Sequence, residues 1–420
     1  MIMKKLLFFA AFLLAASVTY AGGYRVSAQG QRALAMGHTG VAVVNSAELA
    51  FFNPAGLVYL ENKLNISAGV TGVMSNVKWQ NVESGQFAET DNPIGTPFYF
   101  YASYKVTDFL TVGLSAYSPY GSTVEYPTDW AGSHLVNNID LQAIYIQPLV
   151  SLRLSEYFSI GGGPIYVTGG VNFNRNVNRT LTDEQGDRSN VEIDASNVTN
   201  WGWSASWMFT PTENFRIGFN YRSEVILEAE NGDANFSNVP NSPLSPVQNG
   251  TVNFDASLPM PAEMTVGLSY SFLDKWLFAF DYNRAYWSVY NDLMIDFAPE
   301  GVPDSSNPRN YKNASTYRFG LQYEALDQLT LRAGYYLDES PVQSGYFAPE
   351  TPRNAHHGFT GGFSYQLSKR FALDASVTYL RFNEIDASYD FYTENGQSVP
   401  FEGTYKSNAF LAGLGVTFNL

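Results

Sequence analysis

The sequence predicts an all-β fold, a 14-stranded antiparallel transmembrane β-barrel with an N-terminal plug (hatch) inside its lumen. Three observations point there. Apolar residues recur with a period of two from Lys63 onward, short polar breaks alternate with long ones, and the chain starts with an export signal. Composition agrees: of 420 residues, 45% are apolar, 15% aromatic and only 15% charged, whereas an average soluble domain carries about 25% charge. The 30 Phe, 28 Tyr and 7 Trp are too many buriable groups for a disordered chain. No apolar run reaches the roughly 18 residues a membrane helix needs.

The export signal sets the compartment. Residues 1–5 form a short basic start, residues 6–16 an apolar run, and Thr19-Tyr20-Ala21 a small-residue cleavage site. This reads as a signal peptide over residues 1–21, cleaved after Ala21 and too short to span a bilayer. With 39 Asp+Glu against 24 Lys+Arg, the net charge of -15 excludes nucleic acid as a partner. The absence of cysteine excludes disulfides, thiol catalysis and thiolate metal sites.

The barrel, residues 63–420, follows from its periodicity. Phe410, Ala412, Leu414, Val416 and Phe418 share one parity while Gly413, Gly415 and Thr417 interleave. Phe371 to Tyr379, Tyr317 to Tyr323 and Phe215 to Tyr221 alternate in the same way, which puts each set on one face of a sheet. Alternation alone also suits a soluble sandwich; the connections decide. Six short breaks, at 106–108, 155–156, 211–213, 273–274, 326–327 and 368–369, alternate with seven long polar stretches near 80–96, 119–139, 178–193, 230–261, 297–312, 339–356 and 391–403. Thirteen connections join fourteen strands. An even count with short turns on one side and long loops on the other marks an outer-membrane barrel, and closure removes the edges that lipid does not tolerate. Trp201, Trp203, Trp207 and Phe209 share a parity, as do Trp276, Phe278, Phe280 and Tyr282, as interfacial aromatic girdles require.

Fourteen strands enclose a lumen too wide for side chains to fill. Residues 22–62 lack the two-residue period and hold Leu49, Phe51, Phe52, Leu57 and Leu60, which favours a folded plug over a solvated tail. A short helix is expected within 28–36. Arg216, Arg222, Glu224, Arg318, Glu324 and Arg332 occupy the polar parity of their strands and should line the lumen, because an arginine on the lipid face costs about 2–4 kcal/mol at mid-depth. The mixture of signs favours an ion-pair network bracing plug to wall over a ladder that steers carboxylates.

No catalytic residue, cofactor or metal is expected. His356-His357 project to opposite faces and read as solvated loop histidines, and no Gly-x-Ser-x-Gly elbow occurs. A membrane-embedded lipase would have only His356 or His357 with Ser364 to draw on.

Several stretches resemble the FadL-type family of outer-membrane transporters for long-chain fatty acids and related hydrophobic compounds. They are residues 30–40, Phe51-Phe52-Asn53-Pro54-Ala55-Gly56-Leu57 with the family's Asn-Pro-Ala triplet, Ser118-Pro119-Tyr120-Gly121 with Trp130-Ala131-Gly132, Tyr221 to Val225, Leu258-Pro259, and Arg332 to Val342. The resemblance covers the mature chain. It implies passive uptake of hydrophobic small molecules, fatty acids or aromatic hydrocarbons, across the bacterial outer membrane by a lipid-embedded monomer. It also implies a pocket beside the plug end (Gly22, Tyr24, Val26), a plug turn at Asn53, Pro54 and Ala55, and lateral exit at a third-strand kink (Ser118, Pro119, Tyr120, Gly121) that touches this turn. On residues alone Pro119 and Gly121 could equally begin the following loop; proline gives no ladder hydrogen bond either way. Lateral exit suits an apolar cargo, since each CH₂ moved from water to hydrocarbon gains about 0.8 kcal/mol. Residues 178–193 are short and polar and 230–261 proline-rich, so a greasy landing groove is not expected. A non-transporting barrel that serves as adhesin or receptor through its loops is the alternative function.

Overall fold

The computed structural model describes residues 23–243, 245, 247–299, 301–394 and 396–420; the cleavage site and Gly22 lie outside them. The period-two segments form the wall. β1 is Leu64–Gln80, β2 Phe98–Lys105, β3 Leu110–Glu125, β4 Asn138–Arg153, β5 Phe158–Asn176 and β6 Asn190–Thr212. β7 comprises Phe215–Arg222 and Val225–Ser237, β8 Gly250–Met260 and Glu263–Phe272, β9 Trp276–Ala285 and Asp292–Phe297, and β10 Ser305–Pro308 and Ala314–Leu326. β11 is Leu329–Asp338, β12 His356–Gln366, β13 Phe371–Phe382 with Ile385–Tyr389, and β14 Phe401–Asn419. Neighbours pair antiparallel, and β1 closes on β14 from Asn65↔Asn419 to Gln80↔Thr404. The fourteen-stranded closed barrel is therefore as the sequence predicts.

The predicted parity holds around the wall. In β14, Phe410, Leu414 and Val416 are 44–60% exposed, whereas Leu411 and Thr417 are buried. In β13, Phe371, Val377 and Tyr379 point out and Asp374, Ser376 and Thr378 point in. Trp201 and Trp203 lie on the outer surface, the orientation required of a lipid-facing stripe.

One predicted long loop is different. Residues 225–237 and 250–260 extend β7 and β8 outward as paired strand, from Gly250↔Phe236 to Met260↔Val225, so the connection shrinks to 238–249. Their inner faces carry Phe236 and Phe254, which cluster with Ile193 of β6 and Ile295 of β9; the cluster's drive to bury outweighs the proline content that suggested a loop.

Residues 23–60 pack among the inward side chains. They form a short helix, α1, Gln31–Ala35, a second turn of helix at Leu49–Phe52 and a 3-10 turn at Pro54–Tyr59. Leu34, Met36, Leu49, Leu57 and Val58 are fully buried. Wall residues on opposite sides bond to this segment. Thr71 of β1 accepts from Gln31 Nε2 at 3.0 Å, and Ser151 of β4 donates to the Ala55 carbonyl at 3.0 Å. Ser269 of β8 donates to Ala42 at 2.7 Å, and Thr360 of β12 to Ala35 at 3.0 Å. Two wall glycines make the approach possible. A Cβ on Gly161 would meet Ala55 N at 2.6 Å, and one on Gly334 would meet Gly37 N at 2.0 Å.

Candidate functional site

The β3–β4 ladder is interrupted at Ser118 and Pro119. β3 and β4 pair from Leu110↔Leu152 to Tyr117↔Tyr145 and resume at Tyr120↔Ala143, with Ser118 and Pro119 bulged between. On the other flank the β2–β3 ladder ends at Tyr99↔Tyr117. Backbone bonding resumes only where Asp91 N donates to Glu125 O at 3.0 Å. Among the described residues no ladder pairs 92–98 with 118–124. Pro93, Pro97 and Pro119 border this gap and have no N–H with which to close it. From Ser118 and Gly121 a cavity of about 370 Å³ runs inward past Val26 to Arg25.

Tyr24–Val26 lines the exposed edge of β3. Val26 N donates to the Pro119 carbonyl at 2.8 Å, Gly121 N donates to the Tyr24 carbonyl at 3.0 Å, and Gln29 Nε2 bonds Ser118 O at 2.8 Å. Tyr24 and Val26 thus meet Pro119 and Gly121 directly. The Asn-Pro-Ala turn does not, contrary to what the resemblance implies. Asn53 Nδ2 bonds Val41 O at 2.7 Å and Trp207 O at 3.1 Å. Ala55 N donates to Ser206 Oγ at 2.9 Å, and its carbonyl accepts from Ser159 at 2.7 Å. The turn therefore sits on β4, β5 and β6, where Gly161 leaves room for it.

Tyr24 lines a second cavity, and Leu141 lines both it and the wall cavity. This cavity, above Tyr24, is apolar, about 90 Å³, and lined by residues such as Leu141, Leu227, Phe254 and Leu293. The Tyr24 ring packs edge-on to Trp287 at 4.8 Å and Tyr290 at 5.7 Å, and its hydroxyl donates to the Pro259 carbonyl. Burial pushes the phenol well above its ordinary range, so it stays a neutral donor.

Ionic bracing exists, but between other residues than expected. Arg25 Nη1 pairs with Glu263 at 3.1 Å and Nη2 with Asp338 at 3.0 Å; all three side chains are buried. Burial alone would lower the Arg25 guanidinium, and the two carboxylates more than reverse it. Arg32 pairs with Asp374 at 2.9 Å. Asp281 Oδ2 accepts from Gly40 N at 2.8 Å and Val41 N at 3.1 Å. The segment thus contributes cations and N–H groups, and the wall contributes carboxylates.

The six predicted lumen charges divide. Arg222 is buried, bonds Phe51 O at 3.2 Å and covers the Phe51 ring. Arg318 is buried opposite Asp281, Arg332 bonds Gln322 at 2.9 Å and Ser364 at 2.6 Å within the wall, and Arg216 is half-buried. Glu224 departs from the expectation. It is exposed, because the break in β7 at 223–224 inverts the parity: Gly218, Asn220 and Arg222 are buried before it, Val225 and Leu227 after it. Glu324 is also exposed, at the turn end of β10 opposite Thr330.

The histidines are not solvated loop residues. His356 opens β12 and is buried, and His357 Nδ1 lies 2.7 Å from the Tyr335 hydroxyl. Ser364 stands eight residues along β12 from His356, about 26 Å at strand rise, and bonds Arg332 and Asp374 instead. The pair a lipase would need is not assembled. Arg25, Glu263, Asp338 and Asp374 went unmarked in the sequence. Asp374 stood at the inward parity and Asp338 within the family-like stretch, but nothing local signals that Arg25 reaches residues more than 200 positions away.

The chain also has relatives among known proteins. The family model described as outer membrane protein transport protein (OMPP1/FadL/TodX) matches residues 12–420. A long-chain fatty acid transport protein of Escherichia coli O157:H7 is 23% identical, covering 91% of this chain and 94% of its own. The structure of a Pseudomonas aeruginosa FadL homologue superposes with a TM-score of 0.81 at 17% identity, over 95% of this chain and 100% of that one. The Pseudomonas putida toluene transporter TodX superposes at 0.73 and 18% identity, over 95% and 99%.

Proposed function

We propose, since the chain belongs to the outer membrane protein transport family (OMPP1/FadL/TodX), that it admits long-chain fatty acids or related apolar molecules to the cell passively and releases them sideways through its wall. Residues 23–62 act as the plug. Substrate collects in the apolar cavity above Tyr24, passes the Tyr24–Val26 strip and leaves between residues 92–98 and 118–124.

One observation supports this most: the β2–β3 ladder stops where the wall cavity reaches the plug end. The wall gives up that ladder at a free-energy cost, since backbone groups left unpaired toward lipid are unfavourable by several kcal/mol and Tyr24–Val26 replaces only part of the lost pairing. The gap is best explained by passage. A hydrophobic chain leaving there never crosses the polar lower lumen, where Arg222 and Asp281 bond to the plug.

The test is Gly121→Arg. A Cβ at Gly121 would lie 3.7 Å from Val26 Cγ2, so a long charged side chain grows into the wall cavity. Uptake of labelled palmitate should fall at least tenfold, with surface expression and heat-modifiable migration unchanged. Normal uptake by the folded variant would refute lateral exit.

A further inference from the structure

The wall cavity is not uniformly greasy. Val26, Ile94, Leu380, Phe382 and Leu411 supply apolar surface, and Arg353 and His356 line the same space. The other guanidinium there, Arg25, is neutralised by Glu263 and Asp338. Arg353 is not. Nη1 donates to the Arg25 carbonyl at 2.8 Å, and among the described residues no carboxylate forms an ion pair with it. His356 is 7% exposed, and its Nδ1 is buried without a hydrogen-bond partner. Its Nε2 lies 3.9 Å from Asp338 Oδ2, beyond hydrogen-bond reach. Two further carboxylates line the cavity. Asp338 is already engaged by Arg25 and Thr316, and Asp140 is exposed at its outer side.

A partly buried cation with spare donors, beside an unmatched ring nitrogen in a hollow whose wall is apolar along Val26, Ile94, Leu380 and Leu411 and polar elsewhere, is an arrangement suited to one anionic group on an apolar chain. Buried polar groups normally find partners, and a guanidinium presents a planar fork that matches a carboxylate bidentately. The apolar cavity above Tyr24 offers nothing comparable, since Glu350, the charged residue on its lining, is already paired with Arg309.

We infer that Arg353 and His356 form a headgroup site in the wall cavity, which selects amphiphiles bearing a carboxylate over neutral hydrocarbons of the same length. This rests on the proposed transport reading and narrows it. The apolar tail lies along Leu380 and Leu411 toward the gap, while the head stays beside Arg353. An amphiphile held so enters the bilayer tail first, without dragging its charge through hydrocarbon.

The experiment compares laurate with 1-dodecanol, identical in chain and different in head, by competition against a fluorescent fatty acid on detergent-purified full-length protein and by uptake in cells. Wild type should bind laurate at least tenfold more tightly than dodecanol. Arg353→Gln should abolish that preference while leaving dodecanol binding within twofold, Arg353→Lys should retain much of it, and His356→Gln should reduce it. Equal affinity of wild type for both ligands, or an unchanged preference in folded Arg353→Gln, overturns the headgroup site and leaves transport standing. Failure of wild type to bind or take up either ligand overturns the transport reading itself.

Discussion

Replacing Arg25 by methionine keeps an unbranched apolar stem and removes the guanidinium and its charge. The structure sets the size of the effect. Arg25 meets Glu263 at 3.1 Å, Asp338 at 3.0 Å and Thr316 at 2.8 Å, all buried. Without the cation, two carboxylates face each other's field in a water-poor interior, a loss of about 3–5 kcal/mol for breaking a buried pair. What remains on β3 itself is two backbone hydrogen bonds, together about 2 kcal/mol, and the Gln29–Ser118 bond, while Tyr24 keeps its contacts with Pro259, Trp287 and Tyr290. Loss of the ion cluster therefore raises the population of the detached state relative to wild type by about 10²-fold or more, at about 1.4 kcal/mol per decade. Detachment joins the lumen above Tyr24 to the wall cavity, so the variant should show single-channel conductance in planar bilayers where wild type is quiet. Adding Glu263→Gln and Asp338→Asn to Arg25→Met removes the uncompensated charges and should restore quiet behaviour. A silent Arg25→Met variant with unchanged thermal unfolding would refute the claim that this cluster latches the segment.

The other predictions concern the same seat. Glu48 accepts from Arg32 N at 3.1 Å and Ala33 N at 3.0 Å; burial, then Asp374, pushes its carboxyl up to about 7. A carboxyl raised in the folded state binds more protons there than when unfolded. Its contribution is therefore most favourable below pH 4.5 and is lost as pH rises to 7, by roughly 3 kcal/mol at 1.4 kcal/mol per unit. Hydrogen-exchange protection of α1 should fall between pH 5 and pH 8, and Glu48→Gln should flatten that dependence. Gly334→Val places a Cβ within 2.0 Å of Gly37 N, so it should unseat the segment and produce conductance while the barrel still migrates as folded. Asp374→Asn, which weakens the Arg32 pair at 2.9 Å, should lower protection at α1 more than at β13.

The wall is legible in the sequence because lipid on one side and packing on the other impose a strict period of two, and every outward Phe, Leu or Trp repeats the message. The kink is legible in part: Pro119 removes a donor, but the matching prolines at 93 and 97 lie in what reads as a loop. The β7 and β8 extensions read as loop because proline and polar residues dominate locally, and the cluster of Phe236, Phe254 and Ile295 appears only once the strands curl together. Glu224 misleads because a single break resets the parity of everything after it. The latch is illegible for a simple reason. Arg25 finds Glu263 and Asp338 through barrel closure, a long-range event with no local spacing to report it.

The most direct measurement is photolabelling of the folded protein with a fatty acid carrying a terminal alkyl diazirine, followed by mass-spectrometric mapping of adducts. Exit through the wall predicts labels on Val26, Ile94 and residues flanking Gly121, all of which disappear in Gly121→Arg. Labels concentrated instead on Tyr59, Arg153 and Arg216, at the turn end of the lumen, would mean that the cargo travels straight through.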